Sequence, residues 1–370
     1  MLCVSFVRHK GLTLSGAPFG GDFIEFHTAG RILNTFGAHR LYDFQLQDDL
    51  THEFVPDFSL PYVTPPYVAI LFSPLGLLPL RLGYLIWILI STALYVGGII
   101  LLLRVEDLPR RMTLLICLAF PPFIMLVLVG GQISAIGCFI LTLWIYLMRK
   151  QRPFLAGAVL GLLLYKPTLV IFIVPALVFG RQFRMLFGFA GVSSLLLLLS
   201  ISMLGPAGLM RYAAILREFS TLVGLGYTPP TMYVDAATFV RRLFHVDVRY
   251  LMILLALPLT YLTRNNPERA IAPTMVFGSY APVYDLILLV PVLLVTQRSL
   301  SRNLLAVLFV ASFFTVPIAQ VTGLQIITPI LAFLCYELCV KPAVHLNALR
   351  RSQVTLDHPM TNAKSASEPT

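Results

Sequence analysis

Lys166 is the single charged residue in an apolar stretch from Phe154 to Gly180, where it stands in Tyr165-Lys166-Pro167. A charge at membrane depth is expensive and is retained mainly where it faces a protein interior or a watery cavity. The alternative is a lysine that snorkels from a helix end. An ammonium group held in a cavity is suited to binding an anion such as phosphate. Asp22, in Gly20-Gly21-Asp22-Phe23, offers a carboxylate whose preceding glycines permit a tight turn and close approach of a ligand. The same residue could be an N-cap for the helical stretch Phe23 to Phe36, and Glu25 three residues on resembles a capping box. Asp285, at the head of the apolar run Leu286 to Val295, is likewise either a site carboxylate or a cap, and Gln132 after Gly130-Gly131 adds an amide. His27, His39 and His52 lack metal-ligand spacing and read as surface or groove histidines. There is no Asp-X-Asp pair, Walker loop or nucleophile elbow, so neither a metal nor a cofactor is expected.

The elements that must position these residues are membrane helices. The chain is 58% hydrophobic and only 12% charged, with a mean hydropathy of +0.84, which excludes an ordinary soluble domain. Its net charge of +10 falls in short clusters between apolar runs, the pattern of cytoplasmic loops and not of a nucleic-acid surface. Apolar segments are expected near 66–80, 82–103, 112–129, 133–148, 154–180, 184–204, 250–263, 270–296, 303–319 and 324–340. Residues 1–65 form a mixed first loop, 205–248 a second, and 341–370 a polar tail that reads as disordered. The segment 66–80 is too short to span comfortably and contains Pro74 and Pro79, so it is expected to be re-entrant or interfacial. Cys335 and Cys339 read as small apolar packing residues.

Loops at 104–111, 149–152, 181–184, 264–269, 298–302 and 341–351 hold fifteen of the twenty-seven Lys and Arg residues. Placing all six in the cytoplasm makes 154–180 a hairpin whose tip, Lys166, points outward, together with Gln132 and the turn at Tyr280 to Asp285. Both mixed loops are then extracytoplasmic. The second carries Arg211, Arg217, Arg241, Arg242 and Arg249 on the side where basic residues need a reason, which an anionic ligand would supply. An external first loop also requires a segment to carry it across, so an outward-running helix is expected ahead of Met1; the alternative is a different topology for the first third of the chain.

These residues resemble glycosyltransferase family 87. The resemblance is carried by Gly21-Asp22-Phe23, Ala29-Gly30-Arg31, Leu41-Tyr42-Asp43, Thr64-Pro65-Pro66, Ser73-Pro74-Leu75-Gly76 and Trp87, then Gly131-Gln132, Arg152-Pro153, Tyr165-Lys166-Pro167 and Tyr284-Asp285-Leu286. It runs over roughly residues 20 to 300. It departs from the family's pattern in lacking the usual helix before the first loop and in having Thr64 where an aromatic is common.

The resemblance implies an all-α polytopic membrane protein with a GT-C fold, about ten membrane helices around an extracytoplasmic cleft, several of them short or re-entrant. It implies a polyprenyl-phosphate sugar as donor and Asp22 as catalytic base. The chemistry is coherent with those residues, because a lipid phosphate leaves as a stable anion and one base suffices to deprotonate the acceptor hydroxyl. Lys166, Arg211 or Arg217 would hold the departing phosphate, with Gln132 and Asp285 lining the site. The expected function is hexosyl transfer, with mannose the sugar implied, to an extracytoplasmic lipid, glycan or protein acceptor at the cell (inner) membrane, with membrane lipids as the surroundings and no nucleic acid partner. The rivals are a transporter or flippase of a lipid-linked sugar and a truncated, inactive homologue.

Overall fold

A computed structural model describes residues 20–55, 60–106, 108–224 and 230–342. The segment before Gly20 and nearly all of the polar tail, with the expectations attached to them, lie outside the described residues. The first loop folds into α1 (Gly21–Thr35) and α2 (Phe44–His52), and α3 (Pro66–Gly76) follows. Then come α4 (Leu80–Leu103), α5 (Arg110–Leu118) with a wider-wound continuation over Pro122–Leu128, and α6 (Ser134–Arg149). The hairpin comprises α7 (Pro153–Gly161) and α8 (Ile173–Phe179), and α9 (Phe183–Gly224) is interrupted at Gly205. The remainder is α10 (Ala236–Phe244), α11 (Arg249–Leu262), α12 (Ile271–Phe277), α13 (Val290–Thr296), α14 (Arg302–Thr322) and α15 (Ile327–Cys335). Extended pairing among the described residues is confined to one isolated bridge.

The fold is all-helical. Among the described residues three helices are long and apolar enough to cross a membrane, within α4, α9 and α14, and α5 with its continuation makes a fourth if that pair, bent by 50°, counts as one span. Pro121 and Pro122 stand at that bend, where proline removes backbone donors. The other apolar segments form shorter helices, including 66–76, 134–149 and both hairpin arms. Pro74 does not break α3; it sits inside the helix, and the chain breaks at Pro79.

Short arms are held by backbone-to-backbone packing. A side chain on Gly157 would collide with the Met185 backbone, one on Gly188 with the Phe154 backbone, and one on Gly161 with Val192. These pairs put the starts of α7 and α9 level and run them in the same direction. The chain between them must therefore reverse, as the basic clusters at both ends of the hairpin predict. Lys166 stands at the bend with extended backbone (φ −140°, ψ 85°), imposed by the proline that follows.

The basic loops gather at one end of the bundle. Arg149 pairs with Glu106 at 3.1 Å and lies 3.9 Å from Glu268. Gln182 donates to the carbonyl of Arg264 at 3.3 Å, and Arg269 donates to the carbonyl of Leu338 at 3.1 Å. Four of the six expected cytoplasmic segments thus touch one another through named side chains, and a fifth, 341–351, begins three residues after Leu338.

Candidate functional site

The other end collects the polar residues. α1 begins where Gly20 adopts a left-handed conformation (φ 73°), and no side chain caps it. Asp22 is therefore in the first helical turn but is not the N-cap, and the capping-box pattern with Glu25 is not realised. The turn at Gly130-Gly131 caps the helix instead: the Gly20 amide donates to the carbonyl of Val129 at 3.0 Å, and the Asp22 amide to that of Gly130 at 2.9 Å. Gly131 has φ 75°, and a Cβ there would sit 2.7 Å from Cβ of Phe23. Its carbonyl accepts from Trp87 Nε1 at 3.2 Å, and the Tyr84 hydroxyl reaches the carbonyls of Leu128 and Val129. Backbone donors satisfied this way leave the Asp22 carboxylate without a capping task.

Aromatic and polar packing behind α1 fixes its angle. Phe23 packs on Tyr84, Trp87 and Phe72, and Phe26 stacks on Phe72 with centroids 4.8 Å apart. Gly30 and Gly76 bring α1 and α3 into backbone contact, since a Cβ on Gly76 would lie 2.5 Å from the Arg31 nitrogen. Asp43 is spent as the N-cap of α2, accepting from Leu46 at 3.2 Å. His27 is not at the surface; it is buried against Phe23 and Phe54, with Nε2 2.9 Å from the Leu78 carbonyl oxygen.

Lys166 and Asp285 form an ion pair between the hairpin bend and the turn that precedes α13. Asp285 is the third residue of the 3₁₀ turn Val283–Leu289 and caps nothing, which removes the helix-cap alternative. It is fully buried, and its other oxygen accepts from the Ser134 hydroxyl at 2.8 Å, at the start of α6. The Lys166 ammonium lies 4.7 Å from the Tyr280 ring centroid and 5.1 Å from that of Tyr284, a cation–π arrangement on two sides. An ammonium has three donors, so the pairing with Asp285 leaves others for an incoming anion.

Asp22 and Lys166 act on each other through space. Burial pushes the Asp22 carboxyl up to about 7, and the Lys166 charge works against that rise. Asp22 keeps partial access to solvent while protein atoms surround it. Glu25, one turn further along α1, is pushed well above the carboxylate range by burial and then by Asp22, against a hydrogen bond from the Val63 amide. Asp22 is thus a carboxylate that holds its proton until near neutrality and then becomes a base.

Gln132 is buried just after the Gly131 turn. Arg211 and Arg217 are exposed on the part of α9 beyond Gly205, where Tyr212 stacks on Tyr42 with centroids 4.8 Å apart. Ser134, Tyr280 and Tyr284 were not singled out as site residues in the sequence; the one local signal for the tyrosines was their place in the polar turn before Asp285. Among the described residues no group of three or more His, Cys, Asp or Glu side chains could hold a metal.

The sequence profile of glycosyltransferase family 87 matches residues 62–281, more than half of the chain. The chain belongs to that family. Gln132, Lys166, Arg211 and Arg217 fall inside the matched stretch, while Asp22 precedes it and Asp285 follows it. A polyprenol-phosphate-mannose-dependent alpha-(1-2)-phosphatidylinositol pentamannoside mannosyltransferase of Mycolicibacterium smegmatis (strain ATCC 700084 / mc(2)155) is 40% identical over 97 residues, 26% of this chain and 22% of the relative. The protein of the same description from Mycobacterium tuberculosis (strain CDC 1551 / Oshkosh) is 33% identical over 86 residues, 22% of this chain and 18% of the relative. The match thus spans about a fifth of the length of these two relatives. No solved structure matches the chain significantly.

Proposed function

We propose that this family 87 protein is a membrane hexosyltransferase that moves a sugar, mannose by analogy with its relatives, from a polyprenyl phosphate to an acceptor hydroxyl on a lipid, glycan or protein. The observation that carries the reading is the facing of Asp22 and Lys166: a near-neutral carboxylate and a cation lie within electrostatic reach at one end of the bundle. The acceptor oxygen attacks the anomeric carbon while its proton passes to Asp22. The bond from that carbon to the phosphate oxygen breaks, and the electron pair leaves with the polyprenyl phosphate, whose charge Lys166 stabilises. Tyr280 and Tyr284 keep the ammonium at the bend, and Asp285 with Ser134 anchors it from below. The basic loops at the opposite end support a reading in which this chemistry takes place on the extracytoplasmic face of the cell membrane.

The test is transfer of labelled sugar from polyprenyl phosphate in proteoliposomes, with donor binding measured in parallel. Asp22→Asn should bind donor normally and transfer about 10²-fold more slowly or worse. Near-normal transfer by this variant would exclude Asp22 as the base.

A further inference from the structure

α1 carries a second carboxyl to which the transfer chemistry gives no task. Glu25 stands one turn beyond Asp22, and residues three apart share a helix face with Cβ atoms about 5 to 6 Å from each other. The Lys166 charge acts on Asp22, and Asp22 in turn acts on Glu25, so the three groups follow in that order from the hairpin bend along α1. The Val63 amide donates to Glu25. Its neighbours in the segment 62–65 are held by three hydrogen bonds: the Tyr62 amide donates to Gln47 Oε1, the Tyr62 hydroxyl to the Pro65 carbonyl and the Tyr42 hydroxyl to the Thr64 carbonyl, each at 2.8 Å. One amide fixes the Glu25 carboxyl without exhausting it, because a carboxyl has two oxygens with about four lone-pair sites. Burial and then Asp22 favour the protonated form, which donates as well as accepts, as a sugar hydroxyl does.

Tyrosines surround this carboxyl. Tyr42 and Tyr62 are buried and stack with centroids 6.1 Å apart, and Tyr212 of α9 stacks on Tyr42 at 4.8 Å. Tyr67 of α3 is within electrostatic reach of Tyr42 and Tyr212. Unlike the two buried rings, Glu25, Val63, Tyr67 and Tyr212 all keep partial access to solvent. A tyrosine ring combines an apolar body with a polar tip. Such rings beside a carboxyl match a pyranose, which has an apolar C–H face and a rim of hydroxyls.

We propose that Glu25, Tyr67 and Tyr212 form the acceptor subsite, and that the acceptor is a carbohydrate whose attacked hydroxyl meets Asp22 while the neighbouring hydroxyl of the same ring bonds to Glu25. The proposal rests on the hexosyltransferase reading and names its acceptor class. Displacement at the anomeric carbon brings the acceptor in opposite the departing phosphate. With the phosphate at Lys166 and the base at Asp22, the acceptor extends from Asp22 toward Glu25. A serine or threonine side chain has no second hydroxyl for Glu25, so the subsite selects a glycan or glycolipid over a protein.

Transfer of labelled mannose from polyprenyl phosphate by the full chain in proteoliposomes, to octyl mannoside and to its monodeoxy analogues, tests it. The analogue that gives no product marks the attacked position. On the analogue lacking the hydroxyl beside it, the parent should lose about 5- to 10-fold in kcat/KM, the contribution of one hydrogen bond. Glu25→Ala should use octyl mannoside as poorly as the parent uses that analogue, show no further loss on the analogue, and bind donor as the parent does. Glu25→Gln, whose amide also donates and accepts, should keep most of the parent's preference. A purely structural Glu25 would lower both acceptors alike, so an intact preference in Glu25→Ala would overturn the subsite alone. Preferential transfer by the parent to a serine-containing peptide would do the same. A parent that moves mannose to none of these acceptors would overturn the hexosyltransferase reading, and the subsite with it.

Discussion

The alpha position of Gly131 faces Phe23 so closely that any added Cβ would come within 2.7 Å of the Phe23 Cβ. The first turn of α1, with Asp22, is seated on a turn contributed from more than a hundred residues later in the chain. Gly131→Ala should therefore displace that turn, and its φ of 75° adds strain of about 1 kcal/mol for a residue with a side chain. Transfer should fall much more than the unfolding temperature does, because the carboxylate is misplaced while the bundle stays packed. Unchanged transfer by Gly131→Ala would show that the contact does not position Asp22.

Asp22, the proposed base, holds its proton until about 7, which gives a defined pH response. Because burial raises the Asp22 carboxyl, the reactive carboxylate form is lost as pH falls through that value and is fully present above it. Transfer efficiency should drop about tenfold per pH unit on the acid side and level off on the alkaline side. An initial-rate profile measured in proteoliposomes between about pH 5 and 9 checks this. A profile flat through neutrality would remove Asp22 from the rate-limiting proton transfer.

Lys166→Met leaves the Asp285 carboxylate fully buried with the Ser134 hydroxyl as its remaining described partner. Breaking one side of a buried pair costs about 3 to 5 kcal/mol. Adding Asp285→Asn to Lys166→Met should restore most of the lost thermal stability without restoring donor binding, which separates the fold role of the pair from the anion role of Lys166. Recovery of donor binding in the double variant would mean that the ammonium is a packing residue.

The orientation is open to labelling. Cysteines introduced at Gln151 and Arg184, at the end where the basic loops meet, should resist an impermeant thiol reagent added to intact cells, and one at Gly323 should react. Cys117, Cys138, Cys335 and Cys339 are buried, and making the changes in a Cys3→Ser background keeps the remaining labelling low. Strong labelling at position 151 from outside would reverse the assignment.

Much of the helix inventory was legible because it depends on local runs of apolar residues and on proline. Pro167 beside Lys166, flanked by two basic clusters, was enough to anticipate the reversal. The roles of the carboxylates were not legible for the opposite reason. Asp22 and Asp285 have local sequences that suit helix caps, and only the tertiary partners decide otherwise: Gly130 supplies the acceptor for the Asp22 amide, and Lys166 and Ser134 claim Asp285. The partners of Asp285 lie 119 and 151 positions away, so no periodicity or spacing records them. The length of α9 escaped for a subtler cause, since Gly205 and Pro206 mark a break in a helix that resumes and not the start of a loop.

Gly131 also bears on how this sequence can drift. The floor beneath Asp22 and the crossing of α1 with α3 are both shaped by atoms that are missing, and a missing atom has no substitute. A lost hydrogen bond can be replaced by another donor, and a lost methyl by a neighbour's, but nothing added elsewhere makes room between two backbones already in contact. Glycines 30, 76 and 131 therefore have fewer acceptable replacements than the charged residues they serve: the chemistry could be rewritten with another acid or another cation before the geometry could be rebuilt around a single extra carbon.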